Sequence, residues 1–211
     1  NGQPVVQHGS FSYLPAEDVS VKGSFINGEY FLEIKGKMTF SALFGHKIAV
    51  YRTLKLSYLG DDLEISDQIV NEGFVEDRYM IMYHTNLGYP LLSEKTALTL
   101  DAVTTQGIGE VDVAHCQEFT KPSPGKKEEC FLHTLTPGWG KKACVKNENM
   151  TLELWFDATE QPYVFQWKSM ASADYVLGLE PVTTPMPEKR FKTLAPNQIS
   201  HQGVLYRFRH R

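Results

Sequence analysis

Two histidines and one glutamate stand in settings that suit proton transfer. His84 follows the apolar run Tyr79-Met80-Ile81-Met82-Tyr83 and precedes the polar, turn-forming Thr85, Asn86, Gly88 and Pro90. A titratable side chain where a rigid strand meets a loop is a common way to build a site. Glu180 follows Tyr175-Val176-Leu177-Gly178-Leu179 and precedes Pro181. A partly desolvated carboxyl there would titrate above the ordinary value of about 4.3, as a general base requires. His8 lies in Gln7-His8-Gly9-Ser10, where glycine leaves room for a close ligand. Each has a plain structural alternative: a satisfied histidine ending a core strand, a solvated strand-end glutamate, and a surface-loop histidine.

Further side chains offer binding. Trp167, in Phe165-Gln166-Trp167-Lys168, could give a flat apolar platform for a sugar ring, or simply pack in the core. Arg52 is read as a mid-strand residue on the face opposite Ile48 and Val50, where its fork of donors could hold hydroxyls or a carboxylate, or point to solvent. His133 alternates within Phe131-Leu132-His133-Thr134-Leu135 and is a candidate to point into a cleft, with Glu128 and Glu129 just before it. No spacing among these supports a metal site. His46, His115, His201 and His210 have no distinguishing context.

The elements that must position these groups are strands. Alternation with a period of two dominates the chain. Val19–Phe25 and Tyr30–Phe40 flank Asn27-Gly28, the strongest short hairpin signal. Lys47–Tyr58 and Leu63–Val70 flank Gly60-Asp61-Asp62 and read as a second hairpin. Tyr79–Tyr83 reads as a buried strand, followed by Ala97–Val103. Residues 104–125 read as a long loop carrying at most a short helix. Glu128–Leu135, Lys142–Lys146, Met150–Phe156, Tyr163–Ser169, Tyr175–Leu179 and Gly203–Phe208 complete about a dozen strands. Pro181, Pro185, Pro187 and Pro196 make 181–198 irregular. Runs of strands between Gly/Pro turns imply a sandwich or barrel, and no composition shift marks a linker, so residues 1–211 read as one domain.

Composition narrows the classes of function. A net charge of −4 over 211 residues gives no field that would attract nucleic acid or an anionic membrane. No apolar run approaches the 18 or so residues of a transmembrane helix, and no signal peptide is visible. Cys116, Cys130 and Cys144 are too few and odd in number for a disulfide framework, although a Cys116–Cys130 bridge across the loop stays open. They fit a reducing compartment, so the cytoplasm is expected. Asn149-Met150-Thr151 is a chance-level glycosylation triplet. Gly-rich phosphate loops, G-x-S-x-G and H-E-x-x-H are absent.

Four segments together resemble the aldose 1-epimerase (galactose mutarotase) superfamily, and most closely its branch of unknown function. They are His8-Gly9 with Leu14-Pro15-Ala16-Glu17; Asp67-x-x-Val70-Asn71-x-Gly73; Tyr83-His84-x-Asn86-x-Gly88-x-Pro90-Leu91-Leu92; and Trp167-Lys168 with Tyr175-Val176-Leu177-Gly178-Leu179-Glu180-Pro181. The resemblance implies an all-β fold, a large antiparallel β-supersandwich. Only seven residues precede His8, so the domain is expected to be incomplete at its N-terminus.

The resemblance also implies roles. Anomerisation opens a hemiacetal ring, rotates about C1–C2 and recloses. Glu180 would take the O1 proton and His84 would protonate the ring oxygen, while His8 would hydrogen-bond the sugar and stabilise developing charge. Reference pKa values of about 4.3 and about 6.5 allow a carboxylate and an imidazolium near neutral pH. Arg52, Asn86, Trp167 and Lys168 are the expected substrate contacts, with Arg52 or Lys168 standing in for an arginine that the family carries ahead of its His-Gly pair. Asp157 and Glu129 are candidates for its hydroxyl-binding carboxylate. No metal or organic cofactor is required, and the expected partner is a small-molecule sugar. Oligomeric state has no signature in the sequence. Two alternatives stand beside this reading: a non-catalytic carbohydrate-binding module, and a sugar isomerase or lyase on the same scaffold.

Overall fold

A computed structural model describes residues 8–185 and 190–210. The expectation for Pro187 lies outside the described residues. The described chain is built from strands, with 3-10 turns at Phe11–Tyr13 and Val113–Gln117. In chain order the strands are β1 (Glu17–Ile26), β2 (Glu29–Ser41), β3 (Lys47–Ser57), β4 (Asp62–Asn71), β5 (Asp77–Tyr79), β6 (Thr85–Leu87), β7 (Ala97–Leu100) and β8 (Ala102–Ile108). They continue with β9 (Glu129–Leu135), β10 (Trp139–Lys146), β11 (Met150–Asp157), β12 (Tyr163–Ala171), β13 (Asp174–Val182), β14 (Lys192–Leu194) and β15 (Ile199–His210). No helix among the described residues is long and apolar enough to cross a membrane. The chain divides into two compact units, one of residues 1–79 and 193–203, the other of residues 80–192 and 204–211.

The first unit is an antiparallel meander, β1-β2-β3-β4. Asn27 and Gly28 take φ of 53° and 84°, the left-handed pair a tight two-residue hairpin requires. Two-residue periodicity then sorts the faces. Lys22, Glu33, Lys55 and Glu64 are successive cross-strand partners, a ladder of alternating charge suited to water. Val21, Ile34, Leu54 and Ile65 form the neighbouring row on the other face. Arg52 shares that apolar face with Ile48 and Val50, because residues 48, 50 and 52 have the same parity, which corrects the opposite face expected from the sequence. It lies directly across from Asp67 and donates Nε and Nη2 to the two carboxylate oxygens at 2.8 and 2.7 Å. Asn71 is fully buried. Its amide donates to Val75 and Leu194 carbonyls and its Oδ1 accepts from Gly73 N, which gives the Asn71-x-Gly73 pattern a structural role.

The second unit carries a five-stranded sheet, β6-β13-β12-β9-β8, and a set β7-β10-β11 joined by the later residues of β15. Phe131, Val164, Leu177 and Leu179 from one sheet and Leu154 and Phe156 from the other are wholly buried. Thr85 Oγ1 meets Tyr206 Oη at 2.7 Å between them. Removing this apolar surface from water is the main stabilising term.

Several elements depart from the sequence reading. Residues 80–84 form no strand, only a bridge between Met82 and Val182. Their neighbour is the end of β13, where Pro181 accepts from Tyr83 N at 2.9 Å but has no N–H to return. The ladder is therefore broken beside the apolar run, and pairing resumes at Thr85–Leu87, the stretch expected to be a turn. β13 continues through Glu180 and Pro181, which pairs with Val164 on its other side, so 181–198 is not wholly irregular; β14 adds a further short strand there. The expected loop 104–125 begins as a strand, β8, and holds the 3-10 turn.

Candidate active site

Register on the second unit's five-stranded sheet sets out the site. Asn86 pairs with Gly178, Gly178 with Trp167, and Trp167 with Cys130, one row across four strands. In the next row Glu180 pairs with Phe165 and Phe165 with Leu132. Thr85 pairs with Leu179, so the residue before it, His84, falls opposite Glu180. Residues two apart on a strand share a face. His84, Asn86, Gly178, Glu180, Phe165 and Trp167 therefore share one face, while Leu177, Leu179 and Phe131 fill the core on the other.

Glu180 is the most constrained group on this face. It is 2% exposed, and its Oε1 accepts no hydrogen bond from any described residue. His84 Nε2 stands 3.2 Å from that oxygen, at ion-pair distance. Desolvation raises the Glu180 pKa to about 7. Burial thus displaces this carboxyl from its ordinary value into the range a base needs at neutral pH. The His84 side chain keeps 29% of its surface and can meet a solute. Its ring stands edge-on to Trp167, centroids 6.4 Å apart at 67°. Trp167 Nε1 donates to Glu128 Oε2 at 2.7 Å, which fixes the indole plane. Cys130 completes the row; burial, with Glu128 and Glu180 nearby, pushes its thiol up to about 11.

Other candidates go elsewhere. Lys168 lies on the opposite face of β12 from Trp167. It is 2% exposed, and its ammonium donates to the His115 and Glu118 carbonyls and pairs with Glu129 at 2.9 Å. Two of its contacts tie the 3-10 turn and its C-cap to the sheet and the third is to Glu129, so Lys168 stands apart from Trp167 and Glu129 is committed with it. His133 does not face a cleft: it is 1% exposed, with Nδ1 2.9 Å from Thr105 Oγ1 and Nε2 2.8 Å from Gln166 Oε1, and burial lowers its pKa. Asp157 accepts from Thr159 N in a turn. Cys116, Cys130 and Cys144 are free thiols. Among the described residues no group of three or more His, Cys, Asp or Glu is placed to hold a metal ion.

His8 and Arg52 belong to the first unit. His8 is exposed at φ 66°, followed by Gly9 at 68°, a left-handed turn that glycine accommodates freely. Arg52 is held by Asp67 and lies 5.3 Å from the centre of the Phe11 ring. Sequence reasoning missed the closeness of Gly178 to the Glu180 carboxyl and the bond from Trp167 to Glu128. Gly178 stands two residues from Glu180, and a same-face reading of β13 would have drawn it in.

Comparison with known proteins agrees with this architecture. The family model described as "Domain of unknown function (DUF4432)" matches residues 1–199. No curated protein matches the chain. Among solved structures, a candidate aldose 1-epimerase from Klebsiella pneumoniae subsp. pneumoniae superposes with a TM-score of 0.84 at 21% identity, covering 92% of this chain and 55% of that one. A galactose mutarotase-like protein from Clostridium acetobutylicum gives 0.63 at 16% identity over 92% of this chain and 67% of that one. Another from Lactobacillus casei gives 0.59 at 13% identity over 98% and 77%. The chain spans about half the length of the Klebsiella protein. At these identities the likeness establishes the fold, a galactose mutarotase-like β-sandwich.

Proposed function

The chain belongs to the DUF4432 family, and from that footing we propose that it binds a free aldose and interconverts its anomers by acid–base opening of the ring. The observation that carries the reading is the His84–Glu180 pair: a desolvated carboxyl group with a pKa near 7 and an imidazole 3.2 Å from its Oε1.

The chemistry balances without a cofactor. Glu180 as carboxylate takes the proton from O1. The O1–H electrons form the C1 carbonyl as the C1–O5 bond breaks, and O5 takes its proton from the His84 imidazolium. Rotation about C1–C2 exposes the other carbonyl face. Closure then returns one proton from Glu180 to O1 and one from O5 to His84. Trp167 offers the sugar a flat apolar face and Asn86 an amide beside it. His8 enters the proposal through the resemblance alone, as a hydrogen-bond donor to the sugar, and Arg52 likewise as a sugar contact. Three free cysteines suit a cytoplasmic location.

Exchange between anomers, followed by NMR magnetisation transfer over a panel of free aldoses, tests the reading. Acceleration that disappears in Glu180→Gln supports it. Sugar binding without exchange would make the chain a binding module, and solvent deuterium entering a sugar carbon would make it an isomerase or lyase.

A further inference from the structure

We propose that Gly178 is a positioning residue: the space left by its missing side chain is the seat in which the Glu180 carboxyl group rests beside His84. The seat itself follows from geometry, and its catalytic consequence rests on the function proposed above.

Gly178 lies inside β13, paired with Asn86 on one side and Trp167 on the other. A glycine inside a strand weakens it and packs nothing, so its presence asks for a reason. Backbone conformation does not supply one, because Gly178 is not among the residues with positive φ. Space does. A methyl group built on Gly178 would stand 2.5 Å from Glu180 Oε1, 3.5 Å from Cδ and 3.3 Å from Trp167 Cβ. Glu180 is two residues along on the same face, and its side chain folds back over Gly178 instead of extending away.

Any side chain at 178 would thus compete with the carboxyl group for one volume. Trp167 Cβ is fixed to the main chain of β12, whereas the Glu180 carboxyl hangs on rotatable bonds. The carboxyl would be the group to move. It would leave the desolvated position and the 3.2 Å approach to His84 together.

The test uses the whole chain and two readouts for Gly178→Ala. In the first, 13C-labelled glutamate reports the Glu180 carboxyl titration by NMR. Wild type is expected to titrate near 7 and the variant distinctly lower, toward the ordinary value of about 4.3. In the second, kcat for anomer exchange is expected to fall about a hundredfold with KM changed less than about threefold, the mark of a displaced base. An unchanged titration in Gly178→Ala would overturn the proposal. Absence of exchange in wild type would remove the function proposed above, and the titration would still decide the seat. If Gly178→Ala does not fold, the double variant Gly178→Ala/Glu180→Ala answers instead. Restored folding supports the seat, because the competing carboxyl is gone; a double variant as unstable as the single one overturns it.

Discussion

His84 Nε2 lies 3.2 Å from Glu180 Oε1 because two strands far apart in sequence are in register: Thr85 opposes Leu179, and the next residues outward are His84 and Glu180. One residue of slip would turn His84 to the other face of the sheet.

Glu180→Gln keeps the size of the side chain and removes the carboxylate proposed as the base. Anomer exchange should fall by about 10² to 10⁴, the usual contribution of a positioned general base, with the circular dichroism spectrum unchanged. Polarimetric relaxation of a freshly dissolved sugar is sufficient to measure it.

The pH dependence of stability follows from the raised Glu180 pKa. Its folded value, about 7, exceeds the 4.5 of the free group, so between pH 4.5 and 7 the folded state binds the extra proton. Stability from this group is complete below the lower value and declines as pH rises through the upper one, by about 3 kcal/mol in all. Urea unfolding of wild type against Glu180→Gln across this window should show that slope in wild type only. The same carboxyl must be ionised to act, so kcat/KM should rise with pH through about 7.

Trp167 can be separated into platform and donor. Trp167→Ala should weaken sugar binding about tenfold by removing the ring face, whereas Trp167→Phe, which keeps a ring and loses only the bond to Glu128, should cost about threefold. Calorimetric titration of each variant distinguishes them.

Lys168→Met should destabilise the fold and leave the site intact. It strips the partner from Glu129 and from two part-buried carbonyls and leaves that carboxylate without its cation, at a cost of about 3 kcal/mol. Chemical denaturation should show the loss, while sugar affinity measured well below the midpoint should match wild type. A fall in affinity instead would return Lys168 to the site.

Arg52→Lys replaces a fork by a single ammonium that cannot serve both oxygens of a fully buried Asp67. A loss of about 2 kcal/mol is expected in urea titration, and Asp67→Asn in the same background should recover part of it.

The sequence alone determined the class of fold and which side chains were candidates for a site. Alternation at Val19–Phe25, the Asn27-Gly28 turn and the strands of residues 128–169 were legible because a two-residue period and a left-handed turn are local properties of the chain. His84 and Glu180 were legible as candidates because each stands at the end of an apolar run. Tertiary structure decided what those local signals could not carry. The apolar run 79–83 reads as a strand, yet its neighbour ends in Pro181, which cannot return a hydrogen bond, and no property of the run itself records that. Trp167 and Lys168 are adjacent in sequence, but the pleat sends one to the face that carries His84 and Glu180 and the other to the core face, where His115, Glu118 and Glu129 claim its donors. The Glu180 pKa was likewise undecided, since desolvation depends on what surrounds a group and not on what precedes it. The seat at Gly178 has the same origin: a missing side chain has meaning only once the carboxyl that fills its place is known.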